Sequence, residues 1–131
     1  MSSAIGESNL LCVDNLARMI SLTIRRVEPD QRERLERWLR EVDGPRREEA
    51  LATLADEGVT HEKAVILDTS DGPILIYAME SADPEHARAV AQRSEHAIDA
   101  EHRDVMQAAV AGRPDIEVLL DLRSPGAAPR T

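Results

Sequence analysis

The spacing of hydrophobic residues changes several times along the chain, and each spacing predicts a different element. Residues 19–27 (MISLTIRRV) alternate in polarity, as expected for a β-strand with two distinct faces. One face carries Ile20, Leu22 and Ile24, and the other carries Ser21, Thr23 and Arg25. This strand is therefore predicted to meet two different environments.

Helical spacing follows this strand. Leu35 and Trp38 belong to an apolar stripe with intervals of three and four residues, which predicts a first helix over residues 29–42. A Gly-Pro pair at positions 44 and 45 interrupts the pattern. Helical spacing then resumes and ends at Gly58, a residue typical of a helix C-cap.

The next two apolar runs, residues 61–68 and 73–80, are rich in β-forming residues and predict a hairpin. TSDG between them is a typical hairpin turn. If Leu67 pairs with Ile74, one face of the hairpin is shared by Glu62, Ala64, Ile66, Leu75, Tyr77 and Met79. A register slip of one residue would reverse these partners.

A third helical stretch begins at Asp83, a good N-cap residue that is followed by proline. Its pattern weakens near residue 94, resumes, and is stopped by Gly112 and Pro114. The last pattern is IEVLLDL at residues 116–122, whose alternation predicts the final strand.

The predicted order is βαββαβ, which is typical of a ferredoxin-like antiparallel sheet in the α+β class. We expect one domain over residues 19–123, between an N-terminal arm (1–18) and a flexible C-terminal tail (124–131). Helices cover only one face of such a sheet. The second face is predicted to carry Ser21, Thr23, Arg25, Glu117, Leu119 and Asp121. Because this face is too mixed for a dry core, we expect a homodimer in which two sheets form a dimeric α+β barrel around a lumen.

Composition says more about the possible binding partners of the protein than about its fold. The 131 residues include 25 acidic and 16 basic ones, a net charge of −9, which disfavours nucleic acid and anionic membranes. Cys12 is the single cysteine, and neither a secretory signal nor a membrane-spanning apolar stretch is recognisable. We therefore expect a cytoplasmic protein. Without a phosphate-binding glycine loop or a dinucleotide fingerprint, no organic cofactor is predicted.

Two segments carry a resemblance to a known family. EGVTHEKAVILDTSDGPILIYAMES (57–81), followed by SEHAIDAEHRDVM (94–106), resembles a family of short bacterial proteins without an assigned function. That family is placed among the dimeric α+β barrels, which also include the antibiotic-biosynthesis monooxygenases. The likeness covers roughly residues 19–123. One position departs from it, because Ala97 stands where the family's S-H-P-I-D motif has proline, which removes a constraint on the turn before Asp99.

The second segment contains His96, Asp99 and His102 at intervals of three. Two imidazoles and a carboxylate suit a transition metal or an acid/base relay. However, helical residues turn by about 100° each, so one straight helix cannot direct all three side chains at one ion. We therefore predict no metal site and retain His96 and Asp99 as ligand-binding candidates. The alternative is that Asp99 caps the helix and His96 supports the turn before it.

Glu62 and Tyr77 are the candidate catalytic residues, because the expected register turns both toward the lumen. A carboxylate in a partly dry cavity has a raised pKa that suits proton transfer, and a tyrosine hydroxyl can donate to a substrate carbonyl. His61 points to the opposite face from Glu62 and is the alternative proton-transfer group. The structural alternatives are an ion pair of Glu62 with an arginine and a Tyr77 that only completes the packing.

Arg25 and Thr23 are the remaining ligand-binding candidates. The donor fork of Arg25 on the predicted lumen face could hold a carboxylate or enolate oxygen. An ion pair of Arg25 with Glu117 or Asp121 would explain the arginine equally well.

Together these residues favour a small homodimeric enzyme without an organic cofactor. It would transform a mostly apolar small molecule in the barrel lumen by proton transfer, cyclisation or oxygenation. The alternative is a noncatalytic small-molecule-binding or assembly protein that uses the same cavity, because the fold alone does not decide between the two.

Overall fold

The structure of the protein, a computed structural model, describes residues 18–124. The predicted N-terminal arm (1–18) and C-terminal tail (124–131) lie outside the described residues, except for Arg18 and Ser124. Within the described range, no helix has the length and apolar character needed to cross a membrane.

Four strands form a single antiparallel sheet. They are β1 (Met19–Val27), β2 (Val59–Thr69), β3 (Gly72–Ser81) and β4 (Val110–Gly112). Their order across the sheet is β2-β3-β1-β4, which is the ferredoxin-like arrangement. The predicted α+β class and the βαββαβ order are therefore confirmed.

Two helices connect β1 to β2, and two more connect β3 to β4. They are α1 (Arg32–Val42), which follows a 3-10 turn at Pro29–Gln31, α2 (Arg47–Glu57), α3 (Pro84–Arg93) and α4 (Ala97–Ala109). Gly58 ends α2 in the left-handed conformation, with φ 74°, as its C-cap position predicts. Asp83 caps α3, since its carboxylate accepts a hydrogen bond of 3.0 Å from the His86 backbone N–H.

The first turn of α4 is capped from a neighbouring helix. The backbone N–H of Ile98 donates to Oε2 of Glu49, a residue of α2, over 3.0 Å. Residue His96 occupies the N-cap position, and Asp99 lies in the first turn of the helix. The alternative interpretation of Asp99 as the cap of this helix is therefore wrong, because Glu49 supplies the acceptor.

The hairpin register is the predicted one. Leu67 pairs with Ile74, and Ala64 lies opposite Tyr77. On its other side Tyr77 lies opposite Thr23. Strand alternation therefore places Glu62, Tyr77, Thr23 and Arg25 on one face of the sheet, as the sequence predicts.

The helices cover that face. The prediction that it faces a lumen between two sheets is therefore wrong. Leu75 and Tyr77 belong to the hydrophobic core together with Leu35 and Trp38 of α1. Residues of α4 complete this core: Ile98, Val105 and Ala109. The helices pack here because large side chains of β3 fill the space beneath their apolar stripes, and the buried tyrosine hydroxyl finds a polar partner on α4.

The opposite face of the sheet, called here the open face, is covered by no element of the described chain. Its residues are Ile20, Leu22, Ile24 and Arg26 of β1, His61, Lys63, Val65 and Leu67 of β2, and Ile74, Ile76, Ala78 and Glu80 of β3. Ile20 is 69% exposed, and Leu22 and Leu67 are about half exposed. The most apolar face of β1 is therefore the uncovered one.

The fourth strand differs from the prediction in position. It forms at Val110–Gly112, whereas residues 116–122, called here the terminal segment, have no strand partner in the part of the chain that the structure describes. Pro114 lies between them and cannot donate a backbone hydrogen bond, which interrupts the ladder beside β1. The apolar side chains of the terminal segment are exposed: Ile116, Val118, Leu119, Leu120 and Leu122.

Candidate functional site

A chain of three hydrogen-bonding side chains crosses the core between the sheet and the helices. Nε1 of Trp38, on α1, donates to Nδ1 of His102, on α4, over 2.9 Å. Nε2 of the same imidazole lies 3.4 Å from the hydroxyl oxygen of Tyr77, on β3. The sheet, α1 and α4 therefore each contribute one polar side chain to this series of hydrogen bonds.

The tryptophan sets the direction of the remaining hydrogen bonds. Because an indole N–H only donates, Nδ1 of His102 must be the acceptor, and a neutral imidazole then carries its proton on Nε2. Burial lowers the pKa of His102, which favours this neutral form. Nε2–H therefore points at the oxygen of Tyr77, and the Tyr77 O–H is left free to donate elsewhere.

Glu62 lies on the same face of the sheet as Tyr77. It is the diagonal neighbour of Tyr77 across the β2–β3 pair, within reach of a long side chain. Burial, followed by the nearby Asp99 carboxylate, raises the pKa of Glu62. Burial and the proximity of Glu62 also raise the pKa of Tyr77. Both groups are therefore favoured in their protonated forms, and Glu62, the more acidic of the two, ionises far more readily than Tyr77.

Glu62 and Tyr77 line a groove of about 740 Å³ between β2 and the first two helices. Its apolar wall consists of Leu39, Val42, Ala50, Leu51, Leu54, Ala64 and Ile66. Charged residues at the same groove are Arg32, Glu36, Arg40, Asp43, Arg47 and Lys63. The groove thus combines an apolar wall with two groups capable of proton transfer, the usual composition of a small-molecule site.

A second cavity, of about 380 Å³, lies between α2 and the start of α4. Glu57 lines it and is only 7% exposed. Burial, and then the charges of Asp99 and Glu62, raise the pKa of Glu57 to about 7. Oδ2 of Asp99, which lines the same cavity, is buried without a hydrogen-bond partner among the described residues. The acidic groups of both cavities therefore interact through Glu62 and Asp99.

His96 faces solvent at the rim of this second cavity. Its Nε2 lies 2.9 Å from Oδ2 of Asp56, and this contact raises the pKa of the imidazole. His96 and His102 therefore engage different partners on different sides of α4. Among the described residues, no group of three or more His, Cys, Asp or Glu side chains is arranged to hold a metal ion.

Of the other predicted site residues, His61 lines the edge of the groove, whereas Arg25 and Thr23 do not line it. His61 lies on the open face, opposite to Glu62, as strand alternation requires. Arg25 is half-buried on the helix-covered face, where its Nη1 donates to the carbonyl oxygen of Ile24 over 2.9 Å. Thr23 lies beside Tyr77 on this face, but neither Thr23 nor Arg25 lines the groove.

Two residues at the site were not retained as site candidates from the sequence. His102 has a signal that could have identified it, because it shares the helical spacing of the buried Ile98, Val105 and Ala109 on α4. A polar residue on such a stripe indicates a buried hydrogen bond. Glu57 has no comparable signal, since its burial depends on the way α2 packs against α3 and α4.

Comparison with known proteins yields a match to a family model. Neither the curated proteins nor the solved structures include a match to this chain. A family model does match residues 19–126, which is most of the chain and includes both candidate catalytic residues. The chain therefore belongs to the family of unknown function DUF6176.

Proposed function

We propose that this protein is an enzyme that transforms a mostly apolar small molecule by proton transfer and needs no organic cofactor. The observation that carries the proposal is the placement of Glu62 and Tyr77 in one groove that has an apolar wall. The reaction class includes an isomerisation or a cyclisation, or the deprotonation that precedes oxygenation. The reacting groups belong to the groove under the helices, not to the space beside the open face.

The chemistry follows from the two protonation states. In the ionised form, Glu62 accepts a proton from a carbon next to a substrate carbonyl, and its raised pKa makes it a better base. The Tyr77 O–H donates to the carbonyl oxygen, where negative charge develops. Neutral Glu62 then returns the proton to another atom of the substrate, which balances the reaction as an isomerisation.

His102 supports this role of Tyr77. The imidazole donates its Nε2–H to the phenol oxygen, so that the hydroxyl proton is directed away from α4 and toward the groove. This arrangement makes His102 a positioning residue, while Glu62 and Tyr77 contact the substrate.

The proposal includes a homodimer in which the open faces of two copies meet, as in a dimeric α+β barrel. Its support is the row of exposed aliphatic side chains on β1 and β2, including Ile20, Leu22, Val65 and Leu67. An uncovered apolar sheet face of this kind is unusual in a monomer.

The test begins with a thermal-shift screen of small carbonyl and carboxylate metabolites, followed by mass spectrometry of the wild-type reaction with each compound that binds. Glu62→Gln is expected to keep its melting temperature within a few degrees and to lose about 10²–10⁴-fold in turnover. Tyr77→Phe should lower turnover by about 10²-fold because it removes the donor to the developing oxyanion.

Glu48→Gln, at an exposed position of α2, is the control and should leave turnover unchanged. A wild-type turnover that survives Glu62→Gln in a folded protein would contradict the assignment of the base. Compounds that bind without being converted, and that bind Glu62→Gln equally well, would instead support the noncatalytic binding protein.

A further inference from the structure

The terminal segment has the pattern of a buried strand but is exposed. Ile116, Val118, Leu120 and Leu122 alternate with other residues, so that an extended chain presents them on one side. All four are more than half exposed, and Leu119 on the other side is 84% exposed. Within residues 18–124, this segment has neither a strand partner nor an apolar surface to cover.

The β2 edge, on the opposite side of the sheet from β4, offers both a strand partner and an apolar surface. β2 is an edge strand, so one side of its backbone has no strand partner among the described residues over an 11-residue length. The open face beside this edge carries Val65 and Leu67. On the helix side the edge adjoins the groove, where Leu51 is half exposed. A long unpaired edge with apolar residues on both faces is a template for strand addition.

The terminal segment cannot reach this edge in its own molecule without crossing the sheet. β4 and β2 are separated by two other strands, a distance of roughly 14 Å at the usual strand spacing. Residues 113–115 span at most about 11 Å when fully extended. The β2 edge of a second molecule has no such restriction.

We propose that the terminal segment of one copy adds as a strand to the β2 edge of a second copy. The proposal rests on the homodimer of the preceding section and identifies its reciprocal contact. The side of Ile116 and Val118 covers Val65 and Leu67 between the two sheets. Leu119 then lies on the helix side and becomes part of the groove wall near Glu62, so that each site is completed by the partner copy.

Charge favours this orientation. Glu117 and Asp121 flank Leu119 on the side that faces the groove. The groove carries four cationic side chains, Arg32, Arg40, Arg47 and Lys63, against three carboxylates, Glu36, Asp43 and Glu62. The three arginines already pair with carboxylates of their own chain, whereas Lys63, on the edge strand itself, has no ion-pair partner among the described residues and is positioned to receive one of these acidic residues.

A photo-crosslinking amino acid at position 119 tests the contact directly. Isotopically heavy and light copies of the full chain are unfolded together, refolded and irradiated, and the joined peptides are identified by mass spectrometry. We expect residue 119 to crosslink to residues 59–69 or to α2, with mixed heavy and light pairs. Crosslinks only to β1 of the same copy, or no crosslinks, would overturn the proposal.

Light scattering separates this inference from the dimer itself. The double variant Val118→Asp/Leu120→Asp should raise the dimer dissociation constant at least tenfold, whereas Glu117→Gln should have a small effect. If the double variant dimerises as tightly as the wild type, strand exchange is excluded while the dimer stands. If the wild-type protein is itself a monomer, both proposals fail.

Discussion

The two ring nitrogens of His102 have different neighbours, and this difference organises the core around them. Nδ1 accepts from the indole of Trp38, and Nε2 faces the hydroxyl of Tyr77. The imidazole is half-buried and burial lowers its pKa, so the ring acts as a neutral bridge. A single side chain thereby satisfies the polar atoms of two large core residues, which could not be buried at low cost without partners.

Replacing His102 by alanine is expected to destabilise the fold. The Trp38 N–H would lose its acceptor within the core, and a cavity would remain, which together cost about 2–3 kcal/mol in the free energy of unfolding. His102→Gln should lose less, because an amide oxygen can still accept from the indole. Urea denaturation measures both variants, with His86→Ala at an exposed position of α3 as the control. A loss for His102→Ala no larger than that for the control would contradict the bridging role.

Glu57 gives the stability of the protein a specific pH dependence. Its pKa of about 7 in the folded protein lies above the ordinary value of 4.5, so the folded state binds this proton more tightly than the unfolded state. The stabilising effect of this proton is complete below pH 4.5 and is lost as the pH rises to about 7.

Glu57→Gln should therefore be more stable than the wild type at pH 8, by about 1–3 kcal/mol, with little difference near pH 4. The titration of His102 affects both proteins equally and cancels in the comparison. Urea unfolding at the two pH values measures the difference, and Glu48→Gln serves as the exposed control. An equal stability of Glu57→Gln and wild type at pH 8 would show that the carboxyl is not held in its neutral form.

At the scale of elements, the position of α4 depends on a contact from α2. Glu49 accepts the backbone N–H of Ile98, and the same carboxylate pairs with Arg46 at 3.1 Å. Arg46 in turn contacts Glu101 on α4 and lies over the ring of Trp38. These contacts fix the start of the helix that carries Asp99 and His102.

Removing this cap should loosen α4 without unfolding the protein. Glu49→Ala is expected to cost about 1 kcal/mol, the usual value for a helix N-cap, and to speed amide exchange at Ile98 several-fold. Glu48→Ala, the neighbouring substitution on the exposed side of α2, should change stability by less than about 0.5 kcal/mol. If the two variants show the same exchange rate at Ile98, the contact from Glu49 has no capping role.

At the scale of the whole molecule, the unequal covering of the two sheet faces is the dominant feature. The helices bury one face, while the open face leaves exposed aliphatic side chains on β1 and β2. Apolar area removed from water contributes roughly 25 cal/mol per Å², so a second copy placed over this face would gain substantially from association. The face also carries Arg26, His61 and Glu80 near its ends and Lys63 on the edge strand, which limits the positions that a partner can adopt.

A charge in the centre of the open face should therefore prevent dimerisation. Leu22→Asp places a carboxylate where the proposed partner would exclude water, and we expect the dimer dissociation constant to rise at least about a hundredfold. Light scattering should then give about 14.5 kDa, the mass of one chain. Ala100→Asp, at an exposed position of α4, adds the same charge and should leave association unchanged. Dimers that persist in Leu22→Asp would remove the open face from the interface.

The sequence by itself determined the elements and most of their internal registration. The strand period of two, together with the TSDG turn, set which residues share a face, and the pairing of Leu67 with Ile74 followed from it. The helix boundaries at Gly58 and Asp83 followed from local cap chemistry, which involves only neighbouring residues. Such features are readable because their causes lie within a few residues along the chain.

Tertiary structure alone decided which side of the sheet the helices cover, and with it the position of the site. Alternation shows that Ile20 and Leu22 share a face, but it does not show which surface covers them. The way the helices pack depends on large side chains from distant elements. Tyr77 and Trp38, for example, both contact His102. The place of Glu57 at the site likewise depends on tertiary structure, because its burial results from the packing of the helices and not from its neighbours in sequence. The terminal segment has a strand pattern but pairs with no strand of its own sheet among the described residues. Alternation of apolar residues indicates that one side of a segment is buried, but it does not identify the surface that covers that side.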